Sequence, residues 1–421
     1  MSRGRVLVAM SGGVDSSVAA WLLLEQGYEC VGATMRLATN EDDRPGERTC
    51  CSVDDVADAR EACWRLGIRH YVFDYTREFA RDVIDPFVFG YEAGETPNPC
   101  VACNRRLKFG ALLDRARELG CDYLATGHYA RVEARGGGVG APIPAGSRSS
   151  ASPAGLTAGA VPAQDGRPGL RLLKGVDAAK DQSYFLFGLT QQRLAHVLFP
   201  LGGLVKATQV RRLAEEAGLS VAHKRDSEGI CFVPGGDHQR FIEERTGRRA
   251  PDGDILDTEG RVLGRHHGAL RYTLGQRKGL GVASDRPLYV CRIDVAANTV
   301  TLGDNADLMA RGVVARDWNW VAGRPPEDGG TLAAGTTGAH AADASDAHGS
   351  VPAAPGSFRA SAKVRYHQPD QPCRVTPLPD GRVRVTFDEP QRAATPGQAV
   401  VVYRGDELVG GGIISRVERG A

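Results

Sequence analysis

The stretch "ETPNPCVACNRRLKF" (95–109) sets Cys100 and Cys103 in a C-x-x-C arrangement, beside a Thr-Pro-Asn-Pro run and three cations, Arg105, Arg106 and Lys108. Positive charge beside a thiol favours the thiolate, the form that acts as nucleophile and ligand. Such a pair can be half of a zinc cage, a dithiol redox couple or part of a cluster ligand set, yet no second C-x-x-C follows in the chain. The thiol most alike in setting is Cys231, in "HKRDSEGICFVPGGDH", after a polar turn-forming segment and near Lys224 and Arg225. Cys30, Cys63, Cys121 and Cys291 sit in apolar strand or helix patterns and read as buried, inert thiols. Cys50 and Cys51 fall in a loop and stay ambiguous.

The other chemically pointed stretch is "AMSGGVDSS" (9–17). Gly12 and Gly13 let backbone come close to a ligand, and Ser11, Ser16 and Ser17 offer hydroxyls. The helix that follows aims its free amides and positive dipole end at the same place. The Lys of a Walker loop and the G-x-G-x-x-G spacing are both missing. This is an anion cradle of another kind.

The elements around these residues have a clear rhythm. "RVLVAM" (5–10) is a short apolar run that leads through glycines into the helical pattern "SSVAAWLLLEQG". "CVGATM", "VDDVADAREACWRLG", "RHYVFDY" and "CDYLATGHYA" continue the alternation. Strands alternating with helices predict a doubly wound parallel sheet in an α/β domain over 1–235, with the cradle at the carboxyl end of its first strand, where such sheets bind ligands. A small mixed, basic domain is expected over 236–283. From 284 to 421 short alternating strands between Asn, Asp, Gly and Pro turns predict an antiparallel β-barrel. Two Gly/Ala/Ser/Pro-rich stretches, 134–168 and 322–357, lack the apolar residues to offset chain entropy and are read as disordered insertions. The first parts "YARVEA" from "LRLLKG", two halves of a hairpin.

The 421 residues carry a formal net charge of +1, so a nucleic-acid partner would need local basic patches rather than a global field. No apolar run reaches membrane-spanning length and only "MSRG" precedes the first strand, so a cytoplasmic monomer in a reducing compartment is expected.

The glycine loop resembles that of the pyrophosphate-loop ATPases, which split ATP between its α and β phosphates and pass AMP to a substrate oxygen. On that resemblance it holds the leaving pyrophosphate, and Asp15 helps place it with a magnesium ion. Amidating synthetases and tRNA-modifying enzymes share the loop. An amidating enzyme would want an ammonia route; a sulfur-transferring one would want a thiol that carries a persulfide and a second that releases the sulfur by exchange. "AMSGGVDSS", "GATM", "TPNPCVACN", "ATGHYA", "AAKDQSYFL", "DSEGICF", "YTLGQRKGLG", "AKVRYHQ" and "PGQAVV" resemble, in order and context, the tRNA-specific 2-thiouridylases. The likeness covers nearly the whole chain apart from the two insertions. It implies an adenine-nucleotide α-hydrolase-like first domain and sulfur insertion at C2 of the wobble uridine in Lys, Glu and Gln tRNAs.

Carried over residue by residue, the resemblance implies that Ala9, Met10, Ser11, Gly12, Gly13, Val14, Asp15, Ser16, Met35 and Gly127 line the ATP site. Asn98, Pro99 and Cys100 would lie against the target base, with Cys103 as nucleophile and Cys231 as persulfide carrier. A transient Cys103–Cys231 disulfide and a cysteine desulfurase or sulfur-relay protein as donor go with these roles. His128, Lys180, Asp181, Gln182, Arg365, Tyr366 and Gln398 would contact tRNA. Many members carry Asp where this chain has Cys100. That departure keeps a second route open, an iron–sulfur cluster on Cys100, Cys103 and Cys231; zinc lacks a fourth ligand. A pyrophosphate-loop ligase or amidase acting on a small molecule is the alternative from another class.

Overall fold

A computed structural model describes residues 2–37, 53–135, 169–224, 226, 229–326 and 356–419. Cys50, Cys51 and most of the two low-complexity stretches lie outside the described residues.

The first domain is built on five parallel strands. β1 (Arg5–Ala9) and β2 (Glu29–Arg36) are apolar runs buried on both faces, as strands of a covered parallel sheet must be. β3 (Arg69–Asp74), β4 (Tyr123–Ala125) and β7 (Val197–Leu198) complete the order β3-β2-β1-β4-β7. Period-two alternation splits β1 between two cores. Leu7 faces one with Val31, Met35, Leu107 and Leu124, whereas Val6 and Val8 face the other with Cys30, Ala125 and residues of α1 (Val14–Glu25). α2 (Val53–Arg65) has Asp54 and Asp55 in its first turn and Arg65 in its last, matching the helix dipole. α3 (76–92) and α4 (99–118) each pass through a π-helical stretch. α5 (206–216) packs on α1.

β5 (Ala130–Ala134) and β6 (Leu170–Lys174) pair in register as the expected hairpin. The hairpin does not join the parallel sheet: β6 adds to β17 (Glu407–Glu418) of the last domain, at Leu173 opposite Glu407. That domain closes as a six-stranded antiparallel barrel from β12 (Met309–Trp320), β13 (Phe358–Lys363), β14 (Gln371–Pro377), β15 (Val383–Arg392), β16 (Ala399–Arg404) and β17. The β12–β17 pairing shuts the ring and removes its open edges.

The central unit carries α6 (His238–Thr246) and a four-stranded sheet ordered β10-β11-β8-β9. β8 (Asp252–Leu256) and β9 (Val262–His267) pair with β10 (Tyr289–Asp294) and β11 (Thr299–Gly303) around Ile255, Tyr272, Val290 and Val300. A boundary at 284 therefore cuts through one sheet. The strand over 289–303 alternates as barrel strands do, and only its non-local partner, β8, assigns it to the central unit. First domain and barrel also share a core: Ala399, Val401, Tyr403 and Leu408 lie in one apolar cluster with Leu7, Leu107 and Tyr184. No helix among the described residues is long and apolar enough to cross a membrane.

Candidate active site

The cradle lies where the strand order reverses, between β1 and β4, the usual ligand crevice of such sheets. Gly12 has φ +71°, and a Cβ there would stand 2.2 Å from the Asp55 carbonyl oxygen, so only glycine fits. The Ser11 amide donates to Ser16 Oγ at 3.2 Å, and the Ser16 and Ser17 hydroxyls donate back to the Gly13 carbonyl at 3.1 and 3.0 Å. Gly127, just after β4, abuts the same helix start, with room for a Cβ only 2.9 Å from the Asp15 carbonyl carbon. Met35 is buried on β2, and Thr34 ties the Met10 carbonyl at 2.8 Å.

Around the loop, cations and carboxylates interleave. Asp15 accepts from the Tyr129 hydroxyl on one oxygen and from Lys206 Nζ on the other, both at 2.7 Å. Lys206 and Lys180 each reach Asp226 at 2.8 Å, and Arg211 approaches it at 3.4 Å. Burial works against the Asp226 charge, but hydrogen bonds from Lys180 and Lys206 outweigh it and hold the carboxyl below its ordinary range. The Asp226 hydrogen bond raises Lys180 in turn. Lys224 caps the Gly12 carbonyl at 2.9 Å while pairing with Asp55 and Asp58. Burial, then Asp15, pushes the Tyr129 phenol far up, so it stays a donor.

The thiol pair opens α4. The Asn98 side chain caps it, accepting from the Cys100 and Val101 amides at 3.1 and 3.4 Å, and Pro99 takes the first helical position, where its missing N–H costs nothing. Cys100 is exposed and Cys103 half-buried. Asn104, next along, is buried with a side-chain oxygen that has no hydrogen-bond partner among the described residues. Cys231 is half-buried too, and Phe232 beside it stacks edge-on against Phe79 and Phe87 of α3. Ala9, Cys103, Cys231 and Tyr366 all pack on the rim of the one core cluster. Among the described residues no three His, Cys, Asp or Glu side chains are arranged to hold a metal ion, so Cys100, Cys103 and Cys231 do not form a preassembled cluster cage.

Several residues expected at the RNA are turned inward. His128 is 7% exposed, bonded to Thr126 Oγ1 at 2.8 Å between Phe109 and Phe199, and burial holds it neutral. Asp181 is 5% exposed and organises a turn, accepting from the Gly175 and Ser183 amides. Gln182 exchanges hydrogen bonds with the Tyr129 backbone. Arg365 spends its guanidinium on the Ala393 and Leu274 carbonyls and on Thr395 Oγ1. Gln398 donates to the Thr96 carbonyl. Tyr366 stacks on Phe185 at 4.5 Å, and burial pushes its phenol up to about 12. Lys206, Asp226 and Tyr129 join the site through contacts that the sequence does not announce. Tyr129 lies within "ATGHYA" and Asp226 opens "DSEGICF", but their partners lie far along the chain, so no short window shows that they meet Asp15 and Lys206.

Family comparison agrees with this architecture. The chain matches the tRNA methyl transferase HUP domain over 4–235, the PRC-barrel domain of the same group over 239–304 and the aminomethyltransferase beta-barrel domain over 340–414. It is 45% identical over 416 residues to the tRNA-specific 2-thiouridylase MnmA of Geotalea uraniireducens, covering 98% of this chain and 95% of that one. To the protein of the same name from Moorella thermoacetica it is 45% identical over 413 residues, covering 98% and 99%. Likeness to solved structures is slight: NMN synthetase from Francisella tularensis aligns with 59% of this chain and 79% of its own at 14% identity and a TM-score of 0.30. Identity at this level along nearly the whole length, in all three domains, means that the chain belongs to the tRNA-specific 2-thiouridylase family.

Proposed function

We infer that this protein is an ATP-dependent sulfurtransferase that replaces the C2 oxygen of a tRNA uridine with sulfur. We assign the wobble uridine of the Lys, Glu and Gln tRNAs as its target and the cytoplasm as its place of work. The observation that carries the reading is near-full-length identity to tRNA-specific 2-thiouridylases, in a chain whose cradle strand and two half-buried thiols, Cys103 and Cys231, all pack on the core shared by the first domain and the barrel.

The chemistry follows from what each group offers. Oxide is a poor leaving group from C2, and AMP is a good one. The C2 oxygen attacks the α-phosphorus of ATP, the α–β bridge breaks, and pyrophosphate leaves into the amides at the start of α1. Lys206, Lys180 and Lys224 supply the positive charge that the departing anion meets. Magnesium would arrive with the nucleotide, held chiefly by phosphate oxygens, since both oxygens of Asp15 are already engaged by Tyr129 and Lys206.

Sulfur then comes from a Cys231 persulfide, loaded by a desulfurase or relay protein. Its terminal sulfur attacks C2, the C2–O bond breaks and AMP departs. The Cys103 thiolate attacks Cys231 Sγ, the S–S bond opens, and the electron pair stays on the sulfur now attached to C2. A Cys103–Cys231 disulfide remains, which a cellular thiol reduces.

The test is mass analysis of nucleosides from tRNA incubated with protein, ATP, magnesium and a persulfide donor. 2-Thiouridine should form only with all components, alongside AMP. ATP turnover without tRNA, and no thionucleoside, would overturn the reading in favour of a small-molecule ligase.

A further inference from the structure

We propose that the C-terminal barrel sets the pose of the thiol helix, with Arg316 and Gln398 as positioning residues for Cys100 and Cys103; the role rests on the thiol assignment above. Arg316, on β12, sends two nitrogens to the two oxygens of Glu95 at 2.8 and 2.9 Å, a fork that fixes direction as well as distance. One residue on, the backbone of Thr96 is held on both sides. Its amide donates to the Pro396 carbonyl at 2.8 Å, and its carbonyl accepts from Gln398 Nε2 at 2.7 Å. Gly397 lies so close that a Cβ would stand 2.8 Å from the Thr96 nitrogen.

The grip is anchored in the barrel wall. Gly397 donates to the Ile414 carbonyl, and the Ile414 amide donates to that of Gln398, which ties 396–398 to β17. β17 pairs with β12, the strand that carries Arg316, so the 396–398 turn and Arg316 are both fixed to one closed sheet. Downstream little slack remains. Pro97 has its φ fixed by its ring, and Asn98 is already the cap of α4. Four residues, 95–98, therefore connect the barrel to a helix that presents Cys100 and Cys103 in its first two turns. In this arrangement the barrel completes the thiol site as well as offering a surface to RNA. It also gives the Gln398 side chain a partner within the protein.

The experiment compares Glu95→Gln, Arg316→Gln, their double variant and Gln398→Met with wild type in the full chain. Three quantities are read: the iodoacetamide alkylation rate at Cys103 without tRNA, tRNA affinity with its salt slope, and thiolation kcat and KM. Loss of either fork partner should shift alkylation by a similar factor and lower kcat about tenfold or more, with little change in KM, because small misplacements at a reacting group are costly. The double variant should be no worse than either single one, the mark of a coupled pair. Arg316→Lys should rescue poorly, since an ammonium cannot make the fork. A silent Glu95→Gln beside an Arg316→Gln that loses tRNA affinity and salt slope would overturn the proposal and make Arg316 an RNA contact. Unchanged alkylation in every variant, including Gln398→Met, would overturn it too. Should Cys103→Ser still thiolate tRNA, the thiol assignment fails, while the alkylation rates still judge the clamp.

Discussion

Lys206 Nζ stands 2.7 Å from Asp15 Oδ2 and 2.8 Å from Asp226 Oδ1, with only 8% of the lysine side chain exposed. The two carboxylates come from opposite parts of the first domain, one in the cradle and one a few residues before Cys231. A nearly buried ammonium is tolerable only with such partners, and each carboxylate leans on it in turn.

Lys206→Met should therefore cost both stability and chemistry. It removes the one cation that bridges Asp15 and Asp226, leaving Asp15 with the Tyr129 hydroxyl and Asp226 with Lys180 and Arg211. Both keep roughly a third of their exposure, so water screens part of the penalty and the loss should be on the order of 2 kcal/mol, between the buried and surface limits. AMP formation should fall by about a hundredfold, the usual scale for removing one preorganised charge from a developing anion. Thermal unfolding and AMP release from ATP with tRNA check the two parts. Asp15→Asn keeps an acceptor for Tyr129 but weakens the ion pair, and should lower AMP formation while tRNA affinity holds. Wild-type AMP formation in both variants would show that the loop is not the phosphate site.

Arg365→Ala should act first on stability. The guanidinium ties the Ala393 carbonyl and Thr395 of the barrel to the Leu274 carbonyl of the central unit. Hydrogen bonds from a charged donor contribute about 1.5–3 kcal/mol each, the cost of burying the charge offsets much of their sum, and Tm should fall by about 2–6 °C. The salt slope of tRNA binding should stay the same, because Nε and Nη2 are already held by protein oxygens and the side chain is mostly buried. A slope lower by somewhat under one unit, with Tm unmoved, would instead mark a phosphate contact.

Stability should also depend on pH through buried imidazoles. Burial, aided by Lys108, holds His128 well below the ordinary histidine value; burial lowers His70 and His266 as well. A group whose folded value is depressed binds fewer protons folded than unfolded. Its contribution is full above the unfolded value near ~6.5 and is lost as pH falls below it. Tm should drop between about pH 7.5 and 5.5, the range set by that reference value, and His128→Gln should shrink the drop. An equal drop in the variant would mean that His128 does not report on folding.

Much of the scaffold is written locally, and much of the site is not. The apolar run 5–10 followed by Ser-Gly-Gly, and the Asn98-Pro99 start of α4, carry their own stop and start signals, so strand, cradle and thiol helix are legible from short windows. Sheet membership is not a local property. The hairpin 130–134/170–174 reads correctly as a hairpin, but nothing in it says that it extends the barrel. The strands over 289–303 alternate like barrel strands, and their attachment to β8 comes from a partner some forty residues upstream. The contacts of Lys206 with Asp15 and of Arg316 with Glu95 span about half the chain. Lysines and arginines in unremarkable helix and strand positions advertise no such role. Within the expected RNA-facing set, Asp181 and His128 have buried side chains, a property their polar types do not announce in the sequence.

The hairpin yields the last prediction. β5 and β6 pair over their full length, from Ala130 opposite Lys174 to Ala134 opposite Leu170, and the Arg135 amide closes on the Gly169 carbonyl at 2.8 Å. The base is fastened to the barrel as well: Arg131 reaches Asp406 at 2.8 Å, Arg135 pairs with Glu407, and Lys174 pairs with Asp370. Register is thus fixed by the ladder and its flanks, independently of what joins 135 to 169. Replacing 136–168 with a tight hairpin turn should leave Tm unchanged or slightly higher. Closure entropy grows only with the logarithm of loop length, so shortening from some thirty residues to about four changes it by roughly 2 kcal/mol at most. Thiolation kcat and tRNA affinity should remain within about twofold, the range of effects expected far from a reacting centre. The shortened and full chains are compared by scanning calorimetry and by nucleoside analysis of the product tRNA. A loss of thiolation at unchanged Tm would show that 136–168 touches the tRNA or the sulfur donor.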